Sequence, residues 1–132
     1  MIVNLFKKPL QECLLRLAKQ EELNAKQVQI FIYTRDEEFT PLFSFGTSRG
    51  KKGGLTLKQI LNIKGIDPFM REPIAMSKLK NAFKAEAEVQ EIEGSDIIFS
   101  VFTDSENAGN LKINIIHKNS INRTMTLEQL ME

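Results

Sequence analysis

The stretch that decides the fold is residues 28–34, Val28-Gln29-Ile30-Phe31-Ile32-Tyr33-Thr34. It is dense in β-branched and aromatic residues and reads as a strand. Val28, Ile30 and Ile32 line one side, Phe31 and Tyr33 the other. Apolar residues on both sides predict a central strand covered on both faces. A charged turn over Arg35 to Glu38 follows, then a partner strand from Phe39 to Phe45. Pro41 lacks a backbone donor, which predicts an edge or bulged position for that partner.

Upstream, Leu10, Cys13, Leu14, Leu17 and Ala18 recur at helical spacing, so Pro9 to Leu23 is predicted to be a helix with Pro9 in its first turn. Downstream, Thr56 with Gln59 three residues on has the spacing of a capping box that opens a second helix, with a stop at Gly65. Phe83, Ala85, Ala87 and Val89 alternate with polar residues and predict a half-exposed strand over 83–92, although Ala and Glu favour helix. Ile97 to Phe102 and Leu111 to Ile116 read as strands joined by a polar loop, and Thr126 caps a final helix. The expected fold is a single α+β domain over 1–132. It has a mostly antiparallel sheet of about five strands in the order α-β-β-α-β-β-β-α. That order resembles the roadblock and longin class of small α+β adaptor domains, which implies an adaptor role and transfers no site.

Two stretches are alike, Leu55-Thr56-Leu57-Lys58-Gln59-Ile60-Leu61 and Met125-Thr126-Leu127-Glu128-Gln129-Leu130-Met131. A duplicated hairpin–loop–helix unit would explain them. Helices that open on Thr-Leu are common, however, and independent origin is the expectation taken here.

Hydrophobic residues make up 42% of the 132-residue chain and charged residues 27%, an ordinary globular composition. The net charge of +1 conceals a division. Residues 1–84 carry fifteen Lys and Arg against eight Asp and Glu, and residues 85–132 carry three against nine. Concentrated charge of one sign makes a surface that attracts the other, so the chemistry expected is binding. Cys13 is the single cysteine, which excludes an internal disulfide and fits a reducing compartment. The N-terminus places apolar residues before its lysines, the reverse of a secretory signal, and no stretch reaches the length of a bilayer span. A cytoplasmic protein with no membrane contact is expected.

The densest basic cluster is Gly46-Thr47-Ser48-Arg49-Gly50-Lys51-Lys52-Gly53-Gly54, placed between a predicted strand and a predicted helix. It departs from a Walker loop, because three residues rather than four precede its Gly-Lys pair and Lys52 replaces the magnesium-binding hydroxyl. Arg49, Lys51 and Lys52 are the candidate binding residues, either for nucleic-acid phosphates or as plain surface. Phe69, Met70 and Arg71 lie in an unusually apolar connection and are candidate partner contacts. His117 could pair with Asp104 or Glu106 in acid–base chemistry. The run Asp104 to Gly109 fails as a calcium loop, because Ala108 has no side-chain oxygen and Ile115 stands where a glutamate is needed. No cofactor, metal site or catalytic residue is expected. The leading expectation is a non-enzymatic regulatory or adaptor protein that binds another protein or itself. Nucleic-acid binding through the basic loop comes second and a small enzyme built on His117 third.

Overall fold

The computed structural model describes residues 3–34, 39–60, 68–93 and 96–131. The turn expected over 35–38 and the stop at Gly65 lie outside them. Eleven elements follow in order. Helix α1 (Val3–Gln20) leads through a 3-10 turn (Ala25–Gln27) into strands β1 (Val28–Thr34), β2 (Pro41–Thr47) and β3 (Lys52–Leu55). Helices α2 (Leu57–Ile60) and α3 (Pro68–Gln90) come next, then strands β4 (Ile97–Thr103), β5 (Leu111–His117) and β6 (Ser120–Thr126), and helix α4 (Leu127–Met131). All strand pairs are antiparallel, in the order β3-β2-β1-β4-β5-β6.

The expected α+β class and antiparallel sheet are present, with six strands rather than about five and several local differences. Helix α1 begins at Val3 and holds Pro9 inside it. The missing N–H falls near the helix start, where few backbone bonds precede it. Strand β2 is interior, flanked by β1 and β3. Pro41 is its first residue, where a missing donor is tolerated, and β3 pairs only with Phe43–Gly46. The basic stretch contains a strand, β3, so it is a hairpin and not a strand-to-helix loop. Residues 83–92 continue a 23-residue helix, α3, down to Gln90. Ala75, Leu79, Ala82, Phe83, Glu86 and Ala87 are buried along it at helical spacing, and the helix-forming Ala, Glu and Lys residues outweigh the short alternation.

One face of the sheet carries the core. Val28, Ile30 and Ile32 of β1, Phe43 of β2, Ile97, Phe99 and Val101 of β4 and Leu111, Ile113 and Ile115 of β5 are buried with the apolar sides of the helices. Phe83 of α3 stacks on Phe99, with ring centroids 4.3 Å apart, a geometry that adds to simple area burial. The other face, which carries Phe31 and Tyr33, is not sealed in this way, contrary to the two-sided burial expected of β1.

The strand order reads the same from both ends, and the two halves follow one plan. Phe6, Leu10, Cys13, Leu14, Leu17 and Ala18 are buried in α1, and the residues 69 positions on in α3 are buried too: Ala75, Leu79, Ala82, Phe83, Glu86 and Ala87. Both helices end alike. Glu22 and Glu91 each have φ of 55°. The Leu23 N–H donates to the Ala18 carbonyl at 2.8 Å, and the Ile92 N–H to the Ala87 carbonyl at 3.1 Å, a Schellman closure in each case. The two capping boxes coincide as well. The Thr56 and Thr126 N–H groups donate to Gln59 and Gln129 Oε1 at 2.8 Å, and the return bonds from the Gln N–H to the Thr hydroxyl are both 3.1 Å. The likeness noted between 55–61 and 125–131 is thus the tail of a whole repeated unit. Phe31 pairs with Ser100, its own equivalent, so a local twofold axis passes between them through the sheet.

Candidate functional site

The uncovered face has its side chains in rows set by strand register. Leu42 pairs with Tyr33, Tyr33 with Ile98, Ile98 with Ile116 and Ile116 with Ile121. These five residues form one apolar row across five strands. Ile121 is 60% exposed and Leu42 37%. The twofold axis maps this row onto another of opposite character, Lys52, Gly46, Gln29, Phe102 and Lys112. Between them run Ser44, Phe31, Ser100 and Asn114. Period-two alternation of side chains therefore gives a symmetric scaffold one greasy row and one basic row.

The basic hairpin sits at the end of the second row. The Thr47 N–H donates to the Lys51 carbonyl and the Gly50 N–H to the Thr47 carbonyl, both at 3.0 Å, with Gly50 at φ 81°. The turn is pinned to the end of α1. Lys51 Nζ lies 2.9 Å from Glu21 Oε2, Arg49 Nη1 donates to the Glu21 carbonyl at 3.5 Å, and the Ser48 N–H donates to the Gln27 carbonyl at 2.9 Å. Of the three candidate cations, Arg49 and Lys51 are thus engaged with α1. Lys52 instead borders a small cavity of about 180 Å³ together with Lys26 and Phe31.

The charge division in the sequence is bridged at two places among the described residues. Lys7 pairs with Glu128 at 3.6 Å and Lys26 with Glu106 at 4.0 Å. Each pair joins the basic half to the acidic half. Lys112 hydrogen-bonds Asp104 at 2.8 Å and holds its carboxyl below the usual carboxylate range.

The acid–base set proposed on His117 is not assembled. His117 ends β5 beside Ile97, and Asp104 follows Thr103 at the far end of the same hairpin. Seven-residue strands put these ends about 20 Å apart. Among the described residues no group of His, Cys, Asp and Glu could hold a metal ion. Cys13 is buried in α1, and burial pushes its thiol above the ordinary range, as for an inert core residue. The side chains of Phe69, Met70 and Arg71, at the start of α3, lie outside the described residues.

One feature was missed entirely at the level of sequence. A cleft of about 420 Å³ lies between α3, β6 and α4, lined by Glu86, Arg123, Ala85, Gln129 and others. The strand predicted over 83–92 would put Glu86 on its polar, solvent-facing side; it is 5% exposed, and its Oε1 accepts from Arg123 Nη2. Its Oε2 is buried without a hydrogen-bond partner. The first half closes the same place with other residues. Leu17 stands for Glu86 and Gly53 for Arg123, and the Phe45 ring lies so close over Gly53 that a Cβ there would be 2.6 Å from Phe45 Cε1. Arg16 stands where the second half has Ala85, and its Nη2 donates to the Gln59 carbonyl at 2.7 Å.

Among the described residues no helix is long and apolar enough to cross a membrane. No family model matches the chain, and neither a curated protein nor a solved structure matches it at a significant level.

Proposed function

We propose that this is a non-enzymatic cytoplasmic binding module that meets a protein partner across the uncovered face of its sheet, a second copy of itself being the first candidate. The observation that carries the reading is the unbroken apolar row Leu42–Tyr33–Ile98–Ile116–Ile121. Apolar side chains aligned on an unsealed face mark an interface. Six strands of up to seven residues present a face of about 500 Å². Two such faces together bury about 1,000 Å², the lower bound for a specific interface. Apolar row meets apolar row when the twofold axis of the pair runs parallel to the strands, which brings Tyr33 over Ile98 of the second copy and Leu42 over Ile116. An axis across the strands would set the apolar row on the basic one, an unfavourable arrangement.

Light scattering on purified protein at micromolar concentration tests this, with Ile98→Lys and Leu42→Lys beside the wild type. A dimer that both variants convert to monomer supports the reading. A monomeric wild type that captures no protein which Ile98→Lys fails to capture removes it.

A second reading, nucleic-acid binding, is favoured by the cavity that Phe31, Lys26 and Lys52 line together, an aromatic ring in the company of two cations. It requires affinity for labelled oligonucleotides that falls with salt and with Arg49, Lys51 and Lys52 changed to Glu. Anisotropy unchanged by both manipulations eliminates it.

A further inference from the structure

We infer that the cleft between α3, β6 and α4 is a binding site for a small guanidino or amino carboxylic acid. The fold supplies its own reference for this cleft, because the equivalent place in the first half is spanned by a side chain. There the exposed Arg16 reaches from α1 to α2, its guanidinium donating to the Gln59 carbonyl at 2.7 Å. The second half keeps the glutamine, as Gln129, but puts Ala85 in the place of Arg16 and leaves a cleft of about 420 Å³. That size is within the range of small-molecule sites.

The substitution of Leu17 by Glu86 works in the same direction. The fold closes with leucine at that position, so nothing in the architecture requires a carboxylate. A buried ion pair is a weak source of stability compared with well-packed hydrocarbon. Glu86 Oε2 is buried and has no partner, a state that natural structures seldom leave uncorrected. Arg123, on the edge strand and with its side chain 46% exposed, is the movable member of the pair. When it swings towards solvent, Glu86 is free to take a guanidinium or ammonium entering the cleft. The ligand's carboxylate then meets Arg123 and Lys78 at the rim. The ligand is inserted into the ion pair, its cation on Glu86 and its anion on Arg123, so no charge is left buried without a partner. Ala82, Met125 and Leu130 give its methylene chain an apolar wall.

The test is titration calorimetry of the intact chain with L-arginine, agmatine (which lacks the carboxylate) and butyrate (which lacks the cation). Saturable heat with L-arginine is expected, with agmatine weaker and butyrate silent. Glu86→Gln should weaken L-arginine by at least about tenfold, the usual loss when a buried charge partner is truncated. Ala85→Arg should abolish binding by reaching across the cleft as Arg16 reaches Gln59 in the first half, with thermal stability unchanged or raised. Glu86→Gln preserves the side-chain shape and keeps the test valid if Ala85→Arg folds poorly. No saturable L-arginine heat up to millimolar concentration in the wild type overturns the inference, and so does binding that survives both variants. Equal affinity for agmatine overturns the part assigned to Arg123 and Lys78.

Discussion

The two halves of this protein share a backbone plan and differ in what fills the angle between the long helix and the third strand. The first half fills it with Leu17, the Phe45 ring over Gly53, and the Arg16 side chain. The second half puts Glu86, Ile115 and Arg123 at the equivalent positions and leaves a cleft. The caps, helix ends and register of the inner strands are held in common, so those are what the fold requires, while the β5–β6 pairing carries a bulge that β2–β3 lacks. The angle is where one half is free to depart. A repeated unit thus separates, within a single chain, residues that build the architecture from residues that do something else.

Exchanging the two fillings breaks the comparison most severely. Leu17→Glu puts a carboxylate in the angle opposite Gly53, where Arg123 has no counterpart, and is expected to cost about 3–5 kcal/mol. That is a large share of a typical domain's stability, and urea denaturation reads it directly. The reverse change, Glu86→Leu, is expected to be neutral or stabilising by up to about 2 kcal/mol, since hydrocarbon of similar volume replaces a buried ion. Equal losses for the two changes would show that the angles are not equivalent.

Gly53→Ala comes next. Its Cβ would lie 2.6 Å from Phe45 Cε1, so the ring must move, at about 1–3 kcal/mol. Phe45→Ile, the residue found at the equivalent position of β5, should recover part of that loss when combined with it, which a double-mutant cycle measures.

Thr56→Ala and Thr126→Ala each remove one half of a capping box and should each cost about 1 kcal/mol. Their hydrogen bonds are the same length, so their midpoints in denaturant should shift alike. A clear inequality would reveal that one cap is supported by packing that the other lacks.

The smallest effect is one of pH. Asp104 is held below its usual range by Lys112, so its contribution to stability is present above the unfolded-state value and fades as pH falls through the folded-state value. Asp104→Asn should flatten the acid side of the stability profile slightly at low salt, and added salt should erase the difference because the pair is exposed.

Much of this architecture is legible in the residues. Strands β1, β2, β4 and β5 are legible because one side of each is buried and keeps apolar residues at alternate positions, and α1 has an apolar stripe. The edge strands are silent for a physical reason. In β3 two of the four residues are glycine, and in β6 every residue but Met125 is exposed, so neither carries a buried face that could impose a pattern. The missed helix has a different cause: Phe83, Ala85, Ala87 and Val89 imitate a strand locally, while the deciding stripe runs back to Ala75. The cleft is not readable at all. Glu86 and Arg123 are 37 positions apart, on elements whose adjacency depends on the sheet order. The repeat itself hides because it preserves burial and hydrogen bonding while changing identity, as at Cys13 and Ala82 or Leu17 and Glu86.

The pairing of β1 with β4 has a consequence for how the chain reaches this state. Within each half, consecutive strands are joined by short connections, and such pairings form quickly because little loop entropy is lost. Among the described strands, β1–β4 is the one pairing that joins the halves, and its partners, Phe31 and Ser100 among them, lie some seventy positions apart. The slow event in folding is therefore expected to be the pairing along this seam. Substitutions at the seam should retard folding, whereas those in the outer strands should mainly hasten unfolding.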